Sequence, residues 1–174
     1  MRAASRFETK EPTVAYAIER APVRALKPYA RNARTHSKRQ IEQIARSIER
    51  FGFTNPVLVD DDLTIIAGHG RVEAAKLLGL DSVPIIRLSH LSEADKRAYI
   101  LADNRLAEQA GWDKEILAIE LQGLIDLNFE VELTGFATAE IDLLLDEAGD
   151  ADPSSNRDPA DELPAPTNEA VTRL

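Results

Sequence analysis

Four consecutive residues, Gly68-His69-Gly70-Arg71, lie between the apolar run Thr64-Ile65-Ile66-Ala67 and a helical apolar pattern at Val72, Ala75 and Leu78. A strand that feeds a helix through such a turn can bind an anion. The helix N-terminus offers backbone N–H groups without intrahelical partners and a partial positive charge, which suits phosphate. Gly68 and Gly70 let the backbone come close to a ligand. Arg71 adds an always-charged fork for phosphate oxygens, and His69 contacts a nucleotide or caps the turn. The same four residues also read as a tight strand-to-helix turn with a solvated arginine. They are not a Walker loop, which needs a longer glycine spacing and a Lys-Ser/Thr pair.

A second constellation is Asp103-Asn104-Arg105, inside a predicted helix. Asp and Asn are weak helix formers, so both within a helix need a reason beyond propensity. Their oxygens suit a hard cation such as Mg²⁺, which keeps waters and bridges to ligand phosphates; a solvated polar face is the other reading. A third is the basic loop with Arg31, Asn32, Arg34 and His36 that runs into Lys38 and Arg39. It suits phosphate or DNA, or is simply solvated. His36, His69 and His90 are spaced too irregularly for zinc, and no Ser-His-Asp arrangement follows from spacing.

The elements that must position these groups follow from pattern. Val23–Leu26 reads as a short strand stopped by Pro28. Ser37 is an N-cap for a helix with Ile41, Ile44, Ala45, Ile48 and Phe51 on one face, ended by Gly52. Residues 56–59 and 64–67 form a hairpin around Asp60-Asp61-Asp62, and 83–88 is a further strand with an early proline. Ser92-Glu93-Ala94-Asp95 opens a helix that runs towards Gly111. Two more helical stretches span about 114–127 and 138–147, and Trp112 between the helices is expected in the core. The boundaries predicted are a flexible leader over 1–20, an ordered α/β domain over 21–105, a helical extension over 106–147 and a disordered acidic, Pro-rich tail over 148–174.

Composition narrows the classes. The 174 residues carry a net charge of −9 and no cysteine, which removes disulfides, thiolate zinc sites and cysteine nucleophiles together. Residues 1–105 hold 18 basic and 13 acidic side chains, a balance of +5, whereas 106–174 hold three basic and 17 acidic, a balance of −14. The first part can face phosphates and the second repels them. Met1–Lys10 has charges where a signal peptide needs an apolar core, and no apolar run approaches 18 residues.

Leu26-Lys27-Pro28-Tyr29, Asn32-Ala33-Arg34, Ser47-Ile48, Phe51-Gly52, Asn55-Pro56-Val57-Leu58-Val59, Ile66-Ala67-Gly68-His69-Gly70-Arg71, Leu78-Gly79 and Val83-Pro84-Ile85 follow one another in unbroken register. The series resembles the ParB/sulfiredoxin-like domain, often labelled ParB-like nuclease domain. The resemblance implies an α/β fold with a small mixed sheet and helices, followed here by a C-terminal helical extension. It also implies nucleotide binding, CTP or ATP with Mg²⁺. Gly68, His69, Gly70 and Arg71 would then be the phosphate loop, joined by Asn32 and Arg34, with Asp103 and Asn104 at the metal and in hydrolysis. His69 stands where sulfiredoxin has its catalytic cysteine, so sulfinic acid reduction is excluded. Residues 106–147 do not look like the ParB helix-turn-helix module, which needs a recognition helix suited to a polyanionic groove.

Asn32-Ala33-Arg34-Thr35-His36, Ala102-Asp103-Asn104-Arg105-Leu106, Trp112-Asp113 and Leu133-Thr134-Gly135-Phe136 look like the ParB-like region that precedes DNA methyltransferase domains in phage and prophage proteins. This implies an accessory or regulatory module of DNA modification or of partition-type plasmid and phage maintenance. Its partners would be a nucleotide, DNA through the basic half, a methyltransferase domain or subunit, and a second copy in a homodimer. No membrane is implied, and the place of action is the cytoplasm of a bacterial or phage-infected cell. An NTPase or nuclease is one alternative, and a protein-interaction module whose acidic half meets a basic partner is another. The sequence shows no methyltransferase cofactor loop or catalytic tetrapeptide, so a complete methyltransferase is not expected.

Overall fold

The computed structural model describes residues 16–149; the tail beyond Gly149 and most of the expected leader lie outside the described residues. Contacts divide the chain into two units, Met1–Gly111 and Trp112–Leu174.

The first unit holds a four-stranded mixed sheet of β1 (Ile18–Pro22), β2 (Val57–Val59), β3 (Ile65–Ala67) and β4 (Ser82–Arg87), in the order β1-β4-β2-β3. β1 runs antiparallel to β4, from Ile18 opposite Ile86 to Pro22 opposite Ser82. β4 runs parallel to β2, with Val57 opposite Ile85, and β2 and β3 form the expected hairpin. Pro84 is the third residue of β4 and lies just before the stretch that pairs with β2, so its missing N–H falls outside that ladder.

Period-two alternation sends neighbouring strand residues to opposite faces. Val57, Val59, Ile65, Val83 and Ile85 pack with Val72 and Ala75 of α2 (His69–Leu77). Leu58, Ile66 and Ile86 pack instead with Ile100 of α3 (Glu93–Gln109). α1 (Lys38–Phe51) lies against α2. The sheet is thus a middle layer with α2 on one face and α3 on the other. Burying each such aliphatic side chain contributes about 1.5–3 kcal/mol.

The helix starts follow the sequence closely. The Ser37 side chain accepts from the Gln40 N–H at 3.1 Å, and Ser92 and Asp95 form a capping box. Asp60 fixes the hairpin turn: its carboxylate accepts the N–H groups of Asp62 (3.0 Å) and Thr64 (2.8 Å) and the Lys96 ammonium (3.2 Å). Burial alone would raise the Asp60 pKa, but the Thr64 hydrogen bond and Lys96 outweigh it and hold the carboxyl low. The turn is thereby tied to α3.

Three expectations need correction. Val23–Ala25 is a 3-10 turn, not a strand; the Val23 N–H donates to the Asp81 carbonyl at 2.9 Å, which turns the chain away from the ladder. The strand is the preceding segment Ile18–Pro22, so loose order does not extend through residue 20. Its burial pattern is nearly all exposed, and only pairing with β4 makes it a strand. Third, Trp112 is 71% exposed.

The second unit, among the described residues, consists of α4 (Lys114–Asp126), a 3-10 turn at Val131–Thr134 and α5 (Thr138–Gly149). Ala118, Leu121 and Ile141 are its buried residues. Asp113 caps α4 by accepting the Glu115 and Ile116 N–H groups, each at 3.1 Å. Trp112 stands edge-on to Phe136 with ring centroids 5.5 Å apart, so its ring contact is at the surface. Among the described residues, no helix is long and apolar enough to cross a membrane.

Candidate functional site

At the C-terminal end of β3 the chain enters α2 through Gly68, which takes φ +100° as the N-cap. That backbone conformation favours glycine, and a Cβ there would lie 2.8 Å from Arg71 Nη2. Gly70 is constrained by space alone: a Cβ would meet the Ile44 side chain at 3.0 Å and the His36 ring at 3.2 Å. The two glycines therefore let the loop close over Arg71 on one side and against His36 on the other. The first residues of α2 border a cavity of about 230 Å³, lined by this loop together with Asn32, Arg34, His36, Asp103 and Asn104.

The structure brings together all eight residues the sequence singles out: Asn32, Arg34, Gly68, His69, Gly70, Arg71, Asp103 and Asn104. They come from three passages of chain, and each is held differently. Asn32 braces its loop, with its amide oxygen accepting the Arg34 N–H at 3.2 Å and its amide nitrogen donating to the Arg34 carbonyl at 3.1 Å. Arg34 Nη1 donates to Asn104 Oδ1 at 3.2 Å and lies 3.9 Å from a Glu108 carboxylate oxygen. Asn104 Nδ2 donates to the Ile100 carbonyl at 2.7 Å. The presence of asparagine inside α3 is thus explained: it bonds back one turn and offers its oxygen to the incoming arginine.

Arg71 is the unusual member. Its Nη2 donates to the Pro56 carbonyl at 3.2 Å, while Nε is buried and has no partner. Burial lowers its pKa, with the Asp103 charge acting in the opposite direction. A buried donor left unmet costs about 1–3 kcal/mol. The cavity thus holds two guanidinium groups and one nearby carboxylate at a helix N-terminus, a setting favourable to an anion.

The histidines complete the wall. His69 Nε2 accepts the Tyr29 backbone N–H at 3.3 Å, which puts the ring proton of neutral His69 on Nδ1. Burial, then the His36 charge, lowers the His69 pKa, and Glu73 opposes them. His36 Nδ1 lies 3.0 Å from Gln40 Oε1. Sequence reasoning placed His36 in the basic loop but not in the site, and it missed Tyr29 as the partner of His69. The two-residue step from Arg34 to His36 in one loop was the available signal for the first. The Tyr29 contact is made by a backbone group and leaves no trace in residue type.

The donor set bears on a divalent cation. Among the described residues, no group of three or more His, Cys, Asp or Glu side chains could hold a metal ion. Asn104 Oδ1 is occupied by Arg34, so Asp103 is the protein carboxylate at hand. Such a set fits Mg²⁺ when phosphate oxygens and waters supply the other positions.

The family model for the ParB N-terminal domain matches residues 8–105, and that for the ParB-methyltransferase HTH domain matches 115–174. The second match corrects the expectation that the acidic stretch is unlike a ParB helix-turn-helix module. That expectation rested on charge, whereas the helices are held by the buried Ala118, Leu121 and Ile141; charge on exposed positions can change without altering that framework. The ParB-like nuclease domain-containing protein YnaK of Escherichia coli (strain K12) is 57% identical over 76 residues, 44% of this chain and 87% of that protein. The nucleoid occlusion protein of Bacillus thuringiensis (strain Al Hakam) is 31% identical over 116 residues, 64% of this chain but only 39% of that protein.

Among solved structures, the C-terminally truncated chromosome-partitioning protein ParB from Caulobacter crescentus, complexed with CTP-gamma-S, superposes with a TM-score of 0.61 at 21% identity. That likeness covers 74% of this chain and 77% of that one, and it is a likeness of fold. The N-terminal match takes in every strand, the whole Gly68–Arg71 loop and both Asp103 and Asn104. Since it spans more than half of the 174 residues, the chain belongs to the ParB N-terminal domain family.

Proposed function

We propose that this chain binds a nucleoside triphosphate, CTP or ATP, in the cavity at the start of α2. The observation that carries the reading is the buried Arg71 Nε without a partner beside a helix N-terminus. A phosphate oxygen would satisfy this guanidinium once it turned from the Pro56 carbonyl towards the cavity, and would gain the loop N–H groups at the same time. Arg34, also lining the cavity, contributes a second cation, held in place by Asn104. His69 Nδ1–H is a neutral donor at the same loop. Asp103 would hold Mg²⁺ together with phosphate oxygens. The metal, when bound, would neutralise charge on the triphosphate. The ParB structure that shares this fold is complexed with CTP-gamma-S, which supports CTP as the first ligand to test.

The role that follows is an accessory, DNA-associated module of methyltransferase-linked modification or of partition-type maintenance, in the bacterial cytoplasm. Relatives in nucleoid occlusion and partition support the second setting, and the ParB-methyltransferase HTH match supports the first. Residues 16–111 carry 15 basic and 12 acidic side chains, a balance of +3, which is compatible with duplex phosphates.

Calorimetry on the full chain with CTP, ATP and GTP, each with and without Mg²⁺, tests the proposal. Saturable heat with at least one is expected, stronger with Mg²⁺. Absence of heat with all three refutes it. Asp103→Ala is expected to weaken mainly the Mg²⁺-dependent part, and duplex binding is expected to fall steeply with salt.

A further inference from the structure

Among the described residues, the second unit has an apolar face that their packing leaves uncovered. α4 buries Ala118 and Leu121, with Leu117 and Leu124 half-buried beside them. On the opposite side Ile116 is 60% exposed, Ile119 70%, and Leu127, at the helix end, 78%. Positions 116, 119, 123 and 127 are three or four apart, so with Gly123 they form one stripe. Single exposed aliphatic residues are ordinary. A helix that is apolar on two opposite faces is built to be covered on both.

Charge selects what covers it. Residues 112–149 carry ten acidic side chains and one basic, a balance of −9, and the one lysine, Lys114, is bound by Glu147 at 2.9 Å. Helical geometry puts Glu115 and Asp126 along one border of the stripe and Glu120 along the other. Nucleic acid is bound by cationic surfaces and is repelled here. A second copy docked face to face would set the same carboxylates against one another, which is unfavourable. A cationic helix with one apolar face answers both features: its aliphatic residues cover the stripe and its Lys or Arg residues meet the bordering carboxylates.

We propose that the outer face of α4 docks a cationic amphipathic helix of a partner protein. The second unit, which lies in the stretch matched by the ParB-methyltransferase HTH model, would then recognise protein through this face. The inference rests on this unit alone and is independent of the nucleotide cavity.

Fluorescence anisotropy on the full chain tests it. The probes are a labelled peptide of leucine and lysine with leucines at helical spacing, a scrambled peptide of the same composition, and a labelled duplex DNA. The periodic peptide is expected to bind at least about tenfold more tightly than the scrambled one. The double variant Ile116→Ser/Ile119→Ser keeps every charge, and it is expected to lose about tenfold or more in peptide affinity with unchanged circular dichroism. Glu115→Gln/Glu120→Gln keeps the stripe and is expected to weaken binding most at low salt. Equal peptide binding by wild type and the serine variant would overturn the proposal, since charge alone would then suffice. Loss of duplex binding in that variant would assign the face to DNA. A concentration-dependent dimer abolished by the same change would assign it to a second copy. Either result overturns it too.

Discussion

Replacing Arg71 with methionine separates what this side chain costs the fold from what it does for a ligand. In the free protein the buried Nε has no partner, and Nη2 makes one hydrogen bond, to the Pro56 carbonyl at 3.2 Å. Removing the unmet donor returns about 1–3 kcal/mol, and losing the Pro56 bond takes back about 1 kcal/mol. Methionine preserves most of the aliphatic packing of the stem. The net expectation is a gain of about 0–2 kcal/mol for the ligand-free variant. For a unit of this size each kcal/mol moves the melting midpoint by about 4–8 °C. The ligand-free Tm should therefore hold or rise, by up to roughly 8–16 °C at the upper end of that gain.

Binding should move the other way. A charge-assisted hydrogen bond contributes about 1.5–3 kcal/mol, so nucleotide affinity should fall by about 10- to 150-fold. Wild type should gain about 2.7 kcal/mol of apparent stability from nucleotide at a hundred times its Kd, and the variant about 0.3–1.4 kcal/mol at the same concentration. Thermal melts with and without CTP, paired with calorimetry, read both quantities. A ligand-free Tm that drops by several degrees with unchanged nucleotide affinity would refute the reasoning and make Arg71 a structural strut.

Other outcomes follow from neighbouring groups. Gly68→Ala puts a side chain at φ +100° and a Cβ 2.8 Å from Arg71 Nη2; it should cost about 1–3 kcal/mol in urea unfolding and weaken nucleotide binding. Gly52→Ala, also at positive φ but with open space around it, is the control that should lose stability only. His69 is held below its ordinary pKa by burial, so on acidification the unfolded chain takes up the proton first and stability falls as pH drops below about 6.5. Between about pH 7.5 and 5.5 the wild-type midpoint should decline more steeply than that of His69→Gln; parallel slopes would rule His69 out as the cause. Asp60→Ala removes the acceptor for the Asp62 and Thr64 N–H groups and the tie to Lys96, and should cost about 1–3 kcal/mol by chemical denaturation. Ser37→Ala should cost about 1 kcal/mol through the lost cap of α1.

Much of this protein is legible in its sequence because the deciding interactions are local. The Ser37 and Ser92 caps act over three residues, the hairpin is set by two apolar runs around the aspartate turn, and the Gly68–Arg71 loop is a strand-to-helix junction written in four letters. Helices α1 to α5 all lie within a few residues of where apolar spacing puts them. The acidic character of the second half is likewise a property of composition alone.

What only the tertiary structure decided depends on residues far apart in sequence. Nothing near Arg34 announces that its guanidinium meets Asn104, 70 positions on, or that the His36 ring closes on Gly70. Ile18–Pro22 lacks a buried face of its own and becomes a strand because β4 offers an open edge, while Val23–Ala25 has strand-like residues and turns instead. Trp112 has a core residue's chemistry and lies at the surface. The partnerless nitrogen of Arg71 is the sharpest case. Residue type says only that an arginine is cationic; burial by packing from several elements leaves one of its N–H groups without a partner.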